Sequence, residues 1–168
     1  TIYDIEEKIR TFIKQEVGNY LIFFPSYEYL ELFKDNLKDD LKEYELIIQN
    51  KEMTEEDRED FINNFRKKRN VIGICVLGGV FSEGIDLPGD MLIGAVIVGV
   101  GYPKISIERE IIKDYFNEKG YDYSNLYPGI NKVLQAAGRV IRTELDEGRV
   151  LFIDDRYLSG KYKIVVDK

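Results

Sequence analysis

Short apolar runs alternate with longer amphipathic stretches along this chain. Five runs are rich in apolar residues, as strands buried on both faces are. These runs are residues 20–24, 45–49, 71–77, 95–100 and 148–154. Apolar residues recur at helical spacing in residues 2–17, 106–119 and 129–144, and after Ser26, where the predicted apolar face is Leu30, Phe33, Leu37 and Leu41. A cap and acids at 54–57, followed by bases at 66–69, predict a further helix. Strands that alternate with helices through short loops predict an α/β fold with a parallel sheet covered on both faces.

Three details of this pattern are specific enough to check. Ile107, Ile111 and Tyr115 are expected to face inward from the helix at 106–119. Residues 164–166 are a candidate additional edge strand. The basic run at 66–69 ends a helix, where cations are favoured, so a solvated helix end is preferred over a DNA-binding patch.

Residues 135–142 read Gln-Ala-Ala-Gly-Arg-Val-Ile-Arg and are the most informative stretch. On a helix of about 100° per residue, Gln135, Gly138, Arg139 and Arg142 share an arc of about 100°. The opposite, apolar face comprises Ile130, Val133, Leu134, Ala137, Val140 and Ile141. Aligned guanidinium groups suit phosphate, and a glycine inside a helix, which costs about 1 kcal/mol, indicates close approach of a ligand. The alternative is a surface helix with two solvated arginines.

A glycine-rich loop at residues 78–90 separates the third and fourth predicted strands. Within it, residues 82–86 (Ser-Glu-Gly-Ile-Asp) place a hydroxyl, two carboxylates and a mobile backbone close together. Loops after the carboxyl ends of parallel strands are where α/β domains bind ligands. The alternative is a turn that only reverses the chain direction.

Composition narrows the classes of function. The chain has 168 residues, which predicts one domain, and a net charge of −7, which argues against nucleic-acid binding through bulk charge. A few arginines, backbone N–H groups or another domain would still allow such binding. Histidine is absent, and the single cysteine, Cys75, is expected to be a small buried residue. No long apolar run or signal peptide is seen, so a cytoplasmic protein without membrane contact is expected.

The motifs resemble those of a known family. Residues 135–142 resemble motif VI of superfamily 2 helicases, in the spelling of the XPD/DinG branch of DNA helicases. Residues 78–90, with Ser-Glu-Gly-Ile-Asp at 82–86, resemble motif V of that branch. Residues 19–27, which end in Phe-Pro-Ser-Tyr, resemble its motif IV. The resemblance covers about residues 19–158, with the motifs in the family's order.

This resemblance implies a RecA-like three-layer sandwich with a mostly parallel central sheet across residues 1–168. The chain would be the second motor domain of an ATP-dependent DNA helicase of the kind that acts in DNA repair. Arg139 and Arg142 would act as arginine fingers, and Gln135 would sense the γ-phosphate or position water. The implied nucleotide contacts are Gly84, Asp86 and Gly138. The implied DNA contacts are Ser26, Tyr27, Ser82 and Glu83; for Ser26, a plain helix cap is the alternative.

The sequence contains neither a phosphate-binding Gly-x-x-x-x-Gly-Lys-Ser/Thr loop nor the acids that hold Mg²⁺ in these helicases. In the family both belong to the first motor domain, as does the four-cysteine iron–sulfur cluster of many members. The start at Thr1 also predicts a piece of a larger protein. ATP and Mg²⁺ would then be shared with that absent domain, single-stranded DNA would be the other partner, no metal would bind here, and the isolated chain would be inactive. The alternatives are a non-catalytic nucleic-acid-binding module that has kept the fold, and a self-contained domain that binds a small phosphorylated ligand.

Overall fold

A computed structural model describes residues 1–82, 84–102, 106–141, 147–158 and 160–166. Five strands form one sheet in the order β2-β3-β1-β4-β5, and every neighbouring pair is parallel. The strands are β1 (Tyr20–Phe24), β2 (Glu45–Ile48), β3 (Val71–Val76), β4 (Gly94–Val98) and β5 (Arg149–Ile153). The α-helices of the described residues are α1 (Ile2–Ile13), α2 (Tyr27–Asp40), α3 (Glu55–Lys67), α4 (Ile107–Tyr115), α5 (Tyr127–Ala137) and the short α6 (Lys163–Val166).

Helices cover both faces of the sheet, which confirms the predicted three-layer α/β fold. One apolar cluster joins α1 and α2 to the sheet, and the predicted inner face of α2 is buried in full. A second cluster joins α3, α5 and the loop after β3 to the other face. The central strands β1, β3 and β4 are buried at every position because both of their faces are covered.

Polar residues at the helix starts define where the helices begin. The Ser26 hydroxyl accepts a hydrogen bond from the backbone N–H of Tyr29 at 3.1 Å and starts α2. Thr54 and Asp57 form a reciprocal capping box at the start of α3. Both helices follow strands, so their first turns lie near the edge of the sheet where the strands end.

Several predictions made from the pattern are wrong. Ile107, Ile111 and Tyr115 were expected inside, but they are 81%, 62% and 78% exposed, because α4 packs on the π-helical turn Asp122–Leu126 rather than on the sheet. Residues 164–166 belong to α6 and not to a strand. A helical turn there buries Val165 and leaves both of its neighbours exposed.

The end of helix α1 also differs from the prediction. Helix α1 stops at Ile13, and Val17, predicted to lie in the helix, is 81% exposed.

Across the described part of the chain, no helix has both the length and the apolar character required to cross a membrane.

Candidate functional site

The carboxyl ends of the strands bring the candidate residues to one edge of the sheet. Strand β1 leads into Ser26, β2 into Gln49, β3 into the loop at 78–90, and β4 into Gly99. Because all five strands are parallel, these exits lie side by side. Such an edge is where open α/β sheets bind ligands.

The loop at 78–90 is held by alternating apolar residues. Phe81, Ile85 and Leu87 are at most 3% exposed. The Phe81 ring stacks on Phe61 of α3, with the ring centroids 4.0 Å apart and an interplanar angle of 21°. Between these anchors Gly84 adopts a left-handed conformation, with φ of +75°, which favours glycine. The loop is therefore an anchored structure that exposes selected residues.

Among the predicted ligand contacts in this loop, Gly84 and Asp86 are exposed. Ser82 is fully buried, and its hydroxyl donates a hydrogen bond to the carbonyl of Gly79 at 2.8 Å. In this conformation the Ser82 hydroxyl thus stabilises the loop from inside. Glu83 lies outside the described residues.

The helix that carries the Gln-Ala-Ala-Gly-Arg stretch is shorter than predicted. Helix α5 ends at Ala137, and Gly138 is its C-cap with φ of −66° and ψ of −5°. Gly138 therefore lies at a helix end, where glycine is well tolerated, and not in a helix interior as predicted. Ile141, predicted to be buried, is 48% exposed since the chain has left the helical path. Arg142 lies outside the described residues.

Arg139 connects this stretch to the loop at 78–90. Its Nη1 donates a hydrogen bond to the backbone carbonyl of Ile85 at 3.1 Å, and the side chain is half-buried. Ile85 lies between Gly84 and Asp86, so the structure brings three of the predicted nucleotide-site residues together. Gln135 is exposed on the last turn of α5, one helical turn before Arg139.

Tyr27, at the start of α2, is held by two neighbours. Its hydroxyl accepts a hydrogen bond from Nε2 of Gln49 at 3.0 Å and donates to the carbonyl of Asn50 at 3.3 Å. Nζ of Lys51 lies 5.2 Å from the ring centroid. Partial burial raises the pKa of Tyr27, and the hydrogen bond from Gln49 opposes that rise. Tyr27 is thus a neutral, oriented donor beside a lysine.

Two residues of this edge were missed by the sequence analysis. Gln49 is 4% exposed and contacts both Tyr27 and β3. Lys132 of α5 crosses the start of the loop: a Cβ on Gly78 would lie 2.8 Å from its Cε and 3.1 Å from its Nζ. A polar residue at the end of a buried run is the only sequence signal for Gln49. For Lys132 the signal is its position three residues before Gln135, on the same helix face.

The basic run at 66–69 lies at the opposite, amino-terminal edge of the sheet. Arg66 pairs with Glu59 at 2.8 Å, and the guanidinium of Arg69 pairs with Asp90 at 3.0 Å. This pairing agrees with the expectation of a solvated helix end. Cys75 is fully buried, as predicted, and burial raises the pKa of its thiol. Within the described ranges no group of three or more acids or cysteines is arranged to hold a metal ion.

Comparison with known proteins finds relatives that match most of this chain. The profile of the helicase C-terminal domain family matches residues 9–166. The ATP-dependent DNA helicase DinG of Photobacterium profundum is 31% identical over 149 residues, covering 84% of this chain and 21% of that protein. A probable ATP-dependent helicase of Methanocaldococcus jannaschii is 27% identical over 168 residues, covering 90% of this chain and 25% of that protein.

Solved structures show the same fold. An apo XPD structure superposes with a TM-score of 0.76 at 24% identity and covers 99% of this chain and 33% of that one. An XPD helicase structure gives 0.74 at 24% identity, covering 98% of this chain and 29% of that one. These likenesses establish a RecA-like helicase domain fold. The chain spans a quarter or less of the length of the two sequence relatives above.

Proposed function

The chain belongs to the helicase C-terminal domain family of XPD/DinG-like DNA helicases, and we propose that it is the second motor domain of an ATP-dependent DNA helicase. In this role it supplies arginines to ATP bound against a first motor domain, and backbone and side-chain contacts to single-stranded DNA. We expect the isolated chain not to hydrolyse ATP, because its sequence lacks the phosphate-binding Gly-x-x-x-x-Gly-Lys-Ser/Thr loop.

One contact carries the proposal: the hydrogen bond from Arg139 to the carbonyl of Ile85. It joins the stretch with the helicase arginines to the loop that exposes Gly84 and Asp86. A displacement of either segment is therefore transmitted to the other through this charge-assisted hydrogen bond, which is stronger than a hydrogen bond between neutral groups. In the proposed motor this hydrogen bond links the nucleotide site to the loop that contributes DNA contacts.

At the nucleotide side, we propose that Arg139 and Arg142 approach the γ-phosphate of ATP and neutralise the charge that develops during phosphoryl transfer. Gln135 senses the γ-phosphate or orients the attacking water. Gly84, Asp86 and Gly138 shape the side of the cleft that this domain contributes. In this proposal the ligands for Mg²⁺ come from the first motor domain, as the family resemblance implies.

At the DNA side, Ser26 and Tyr27 begin α2 at the carboxyl edge of the sheet, where the backbone N–H groups of a helix start attract phosphate. The Ser26 hydroxyl already caps α2. We therefore propose that Ser26 supports DNA binding by ordering the first turn of this helix. Ser82 and Glu83 complete the proposed contacts, with Ser82 acting from inside the loop. Lys51 places a cation beside Tyr27, with its Nζ 3.7 Å from a carboxylate oxygen of Glu28.

The test is ATP hydrolysis by the full-length parent with and without single-stranded DNA, compared between wild type and Arg142→Ala. Loss of an arginine finger lowers turnover by about 10³–10⁵-fold in related NTPases. Arg139→Ala should also lower turnover and, through the lost bond to Ile85, lower the stability of the loop. Arg66→Ala is the matched control, because Arg66 is an exposed arginine at the opposite edge, paired with Glu59.

Turnover of Arg142→Ala at the wild-type rate would exclude the arginine-finger role. A wild-type parent that binds single-stranded DNA but never hydrolyses ATP would favour the alternative, a nucleic-acid-binding module that kept the fold and lost the motor. Tight binding of ATP by the isolated chain would contradict both readings, since half of a cleft binds nucleotide poorly.

A further inference from the structure

Gln49 is a buried polar side chain at the carboxyl edge of the sheet, and none of the contacts proposed above involves it. It follows β2 and is 4% exposed. Burial of an amide is costly unless its donors and acceptor are hydrogen-bonded. The partners of this amide therefore indicate what it does.

The side chain of Gln49 continues the sheet where the backbone of β2 stops. Its backbone N–H donates to the carbonyl of Ile74 at 2.8 Å, as in a parallel ladder. In a continued ladder the carbonyl of the same residue would accept from Val76. Instead the side-chain Oε1 accepts that N–H at 3.1 Å. Gln49 thus holds the last residue of β3, immediately before the loop at 78–90.

The other half of the amide reaches Tyr27. Since the N–H of Val76 can only donate, the atom facing it must be the oxygen, and the amide NH₂ is then directed at the Tyr27 hydroxyl. A Cβ on Gly79 would lie 2.8 Å from Nε2 of Gln49, so this amide also packs directly on the loop backbone. One side chain therefore contacts α2, β3 and the loop.

We propose that Gln49 is a positioning residue that couples the DNA contact at Tyr27 to the loop at 78–90. This inference rests on the proposed function, because it assigns Gln49 a role only if Tyr27 contacts single-stranded DNA. When a strand engages Tyr27, the hydroxyl can move only with the amide that holds it. The amide in turn is bonded to Val76 and packed on Gly79, so the displacement reaches the loop that ends at Ile85 and Arg139.

The experiment uses the full-length parent and a labelled oligothymidine, with two readouts: the DNA concentration that gives half-maximal ATP hydrolysis, and the rate at saturating DNA. The variants are Gln49→Met, which keeps the volume and removes both side-chain bonds, Tyr27→Phe, which removes only the hydroxyl, and their combination. Tyr20→Phe is the matched control, because it removes the hydroxyl of a buried tyrosine that donates to the backbone carbonyl of Glu16 and accepts from Arg149 at the opposite edge of the same sheet.

We expect Gln49→Met to raise the half-maximal DNA concentration by about tenfold, as loss of a net hydrogen bond worth about 1 kcal/mol or slightly more does. The rate at saturating DNA should also fall, by at least about twofold, because DNA bound at Tyr27 then no longer displaces the loop at 78–90, while the rate without DNA should match wild type. Tyr27→Phe should raise the half-maximal DNA concentration in the same direction. The double variant should resemble the worse single variant, because both changes break one linkage. Tyr20→Phe should match wild type.

Two results would overturn the inference while leaving the proposed function intact. The first is a double variant whose effect is the product of the two single effects, since Gln49 and Tyr27 would then act independently. The second is a Tyr27→Phe parent that responds to DNA like wild type, a test that holds even if Gln49→Met fails to fold. A wild-type parent that DNA does not stimulate would overturn the proposed function and the inference together.

Discussion

Replacing Gly84 by alanine tests whether the loop at 78–90 needs its left-handed turn. The φ angle is +75°, and no heavy atom beyond the immediate neighbours lies within 4 Å of the position that a Cβ would take. The cost is therefore purely a backbone cost. It amounts to about 1–2 kcal/mol for a residue with a side chain in this region. Alanine also restricts the unfolded chain more than glycine does, which offsets about 0.4–1 kcal/mol of this cost.

The expected net loss in the free energy of unfolding is about 1 kcal/mol, which lowers the melting temperature of a domain of this size by about 2–4 °C. Thermal unfolding of the chain, followed by circular dichroism, measures it. Gly89→Ala is the matched control: φ is +60°, and its Cβ position is equally open. Both variants should lose the same stability within error.

Function should separate the two variants. Gly84 adjoins Ile85, whose carbonyl binds Arg139, whereas Gly89 lies beside Asp90, which pairs with Arg69 at the other edge of the sheet. In the full-length parent, Gly84→Ala should slow DNA-stimulated ATP hydrolysis by about tenfold, a change of about 1.4 kcal/mol in the barrier. Gly89→Ala should leave it unchanged. Equal rates for both variants would refute the functional role of the loop, and unequal melting temperatures would refute the backbone argument.

Two further variants test the packing and the electrostatics. Gly73→Ala places a methyl group 2.7 Å from side-chain carbons of Leu21 and Phe61, and such overpacking should lower the free energy of unfolding by about 1–3 kcal/mol. A urea midpoint equal to that of wild type would contradict this. The hydrogen bond from Arg156 lowers the pKa of Asp154, so its stabilisation is present above the ordinary carboxyl pKa and is lost as pH falls through the lowered value. Between about pH 5 and about pH 3 the wild type should lose more stability than Asp154→Asn, and parallel losses would exclude this contribution.

The strands and the inner face of α2 were predictable because burial leaves a pattern in the sequence, a continuous apolar run in a strand covered on both faces and a helical spacing in α2. Strand β1 is apolar at every position, and the structure buries every one of its residues. In α2 the apolar residues recur at helical spacing, and the predicted face is fully buried. The same reasoning failed for α4, where a periodic apolar stripe packs on a neighbouring turn and remains exposed. Periodicity indicates the kind of element, but the surface that an element covers depends on its neighbours.

The residues of the candidate site were proposed from the sequence, whereas the contacts between them come from the structure. The sequence indicated the loop at 78–90 and Arg139, and the structure adds the bond from Arg139 to Ile85 that connects them. The end of α5 at Ala137 was missed. The residues after it continue the helical pattern in the sequence, although the chain leaves the helix axis at Gly138. Gln49 was missed because its role depends on where β2 stops relative to β3.

The loop at 78–90 has the properties that a mechanical connection requires. Its first residues contact Gln49, and six residues later Ile85 accepts the bond from Arg139. Between these points Phe81 is stacked on Phe61 and is almost fully buried. A flexible loop would absorb a displacement at one end before it reached the other, whereas close-packed interiors transmit strain. Shortening Phe81 to leucine should therefore weaken the stimulation of ATP hydrolysis by DNA even though Phe81 reaches neither ligand, and it should do so without altering the rate in the absence of DNA.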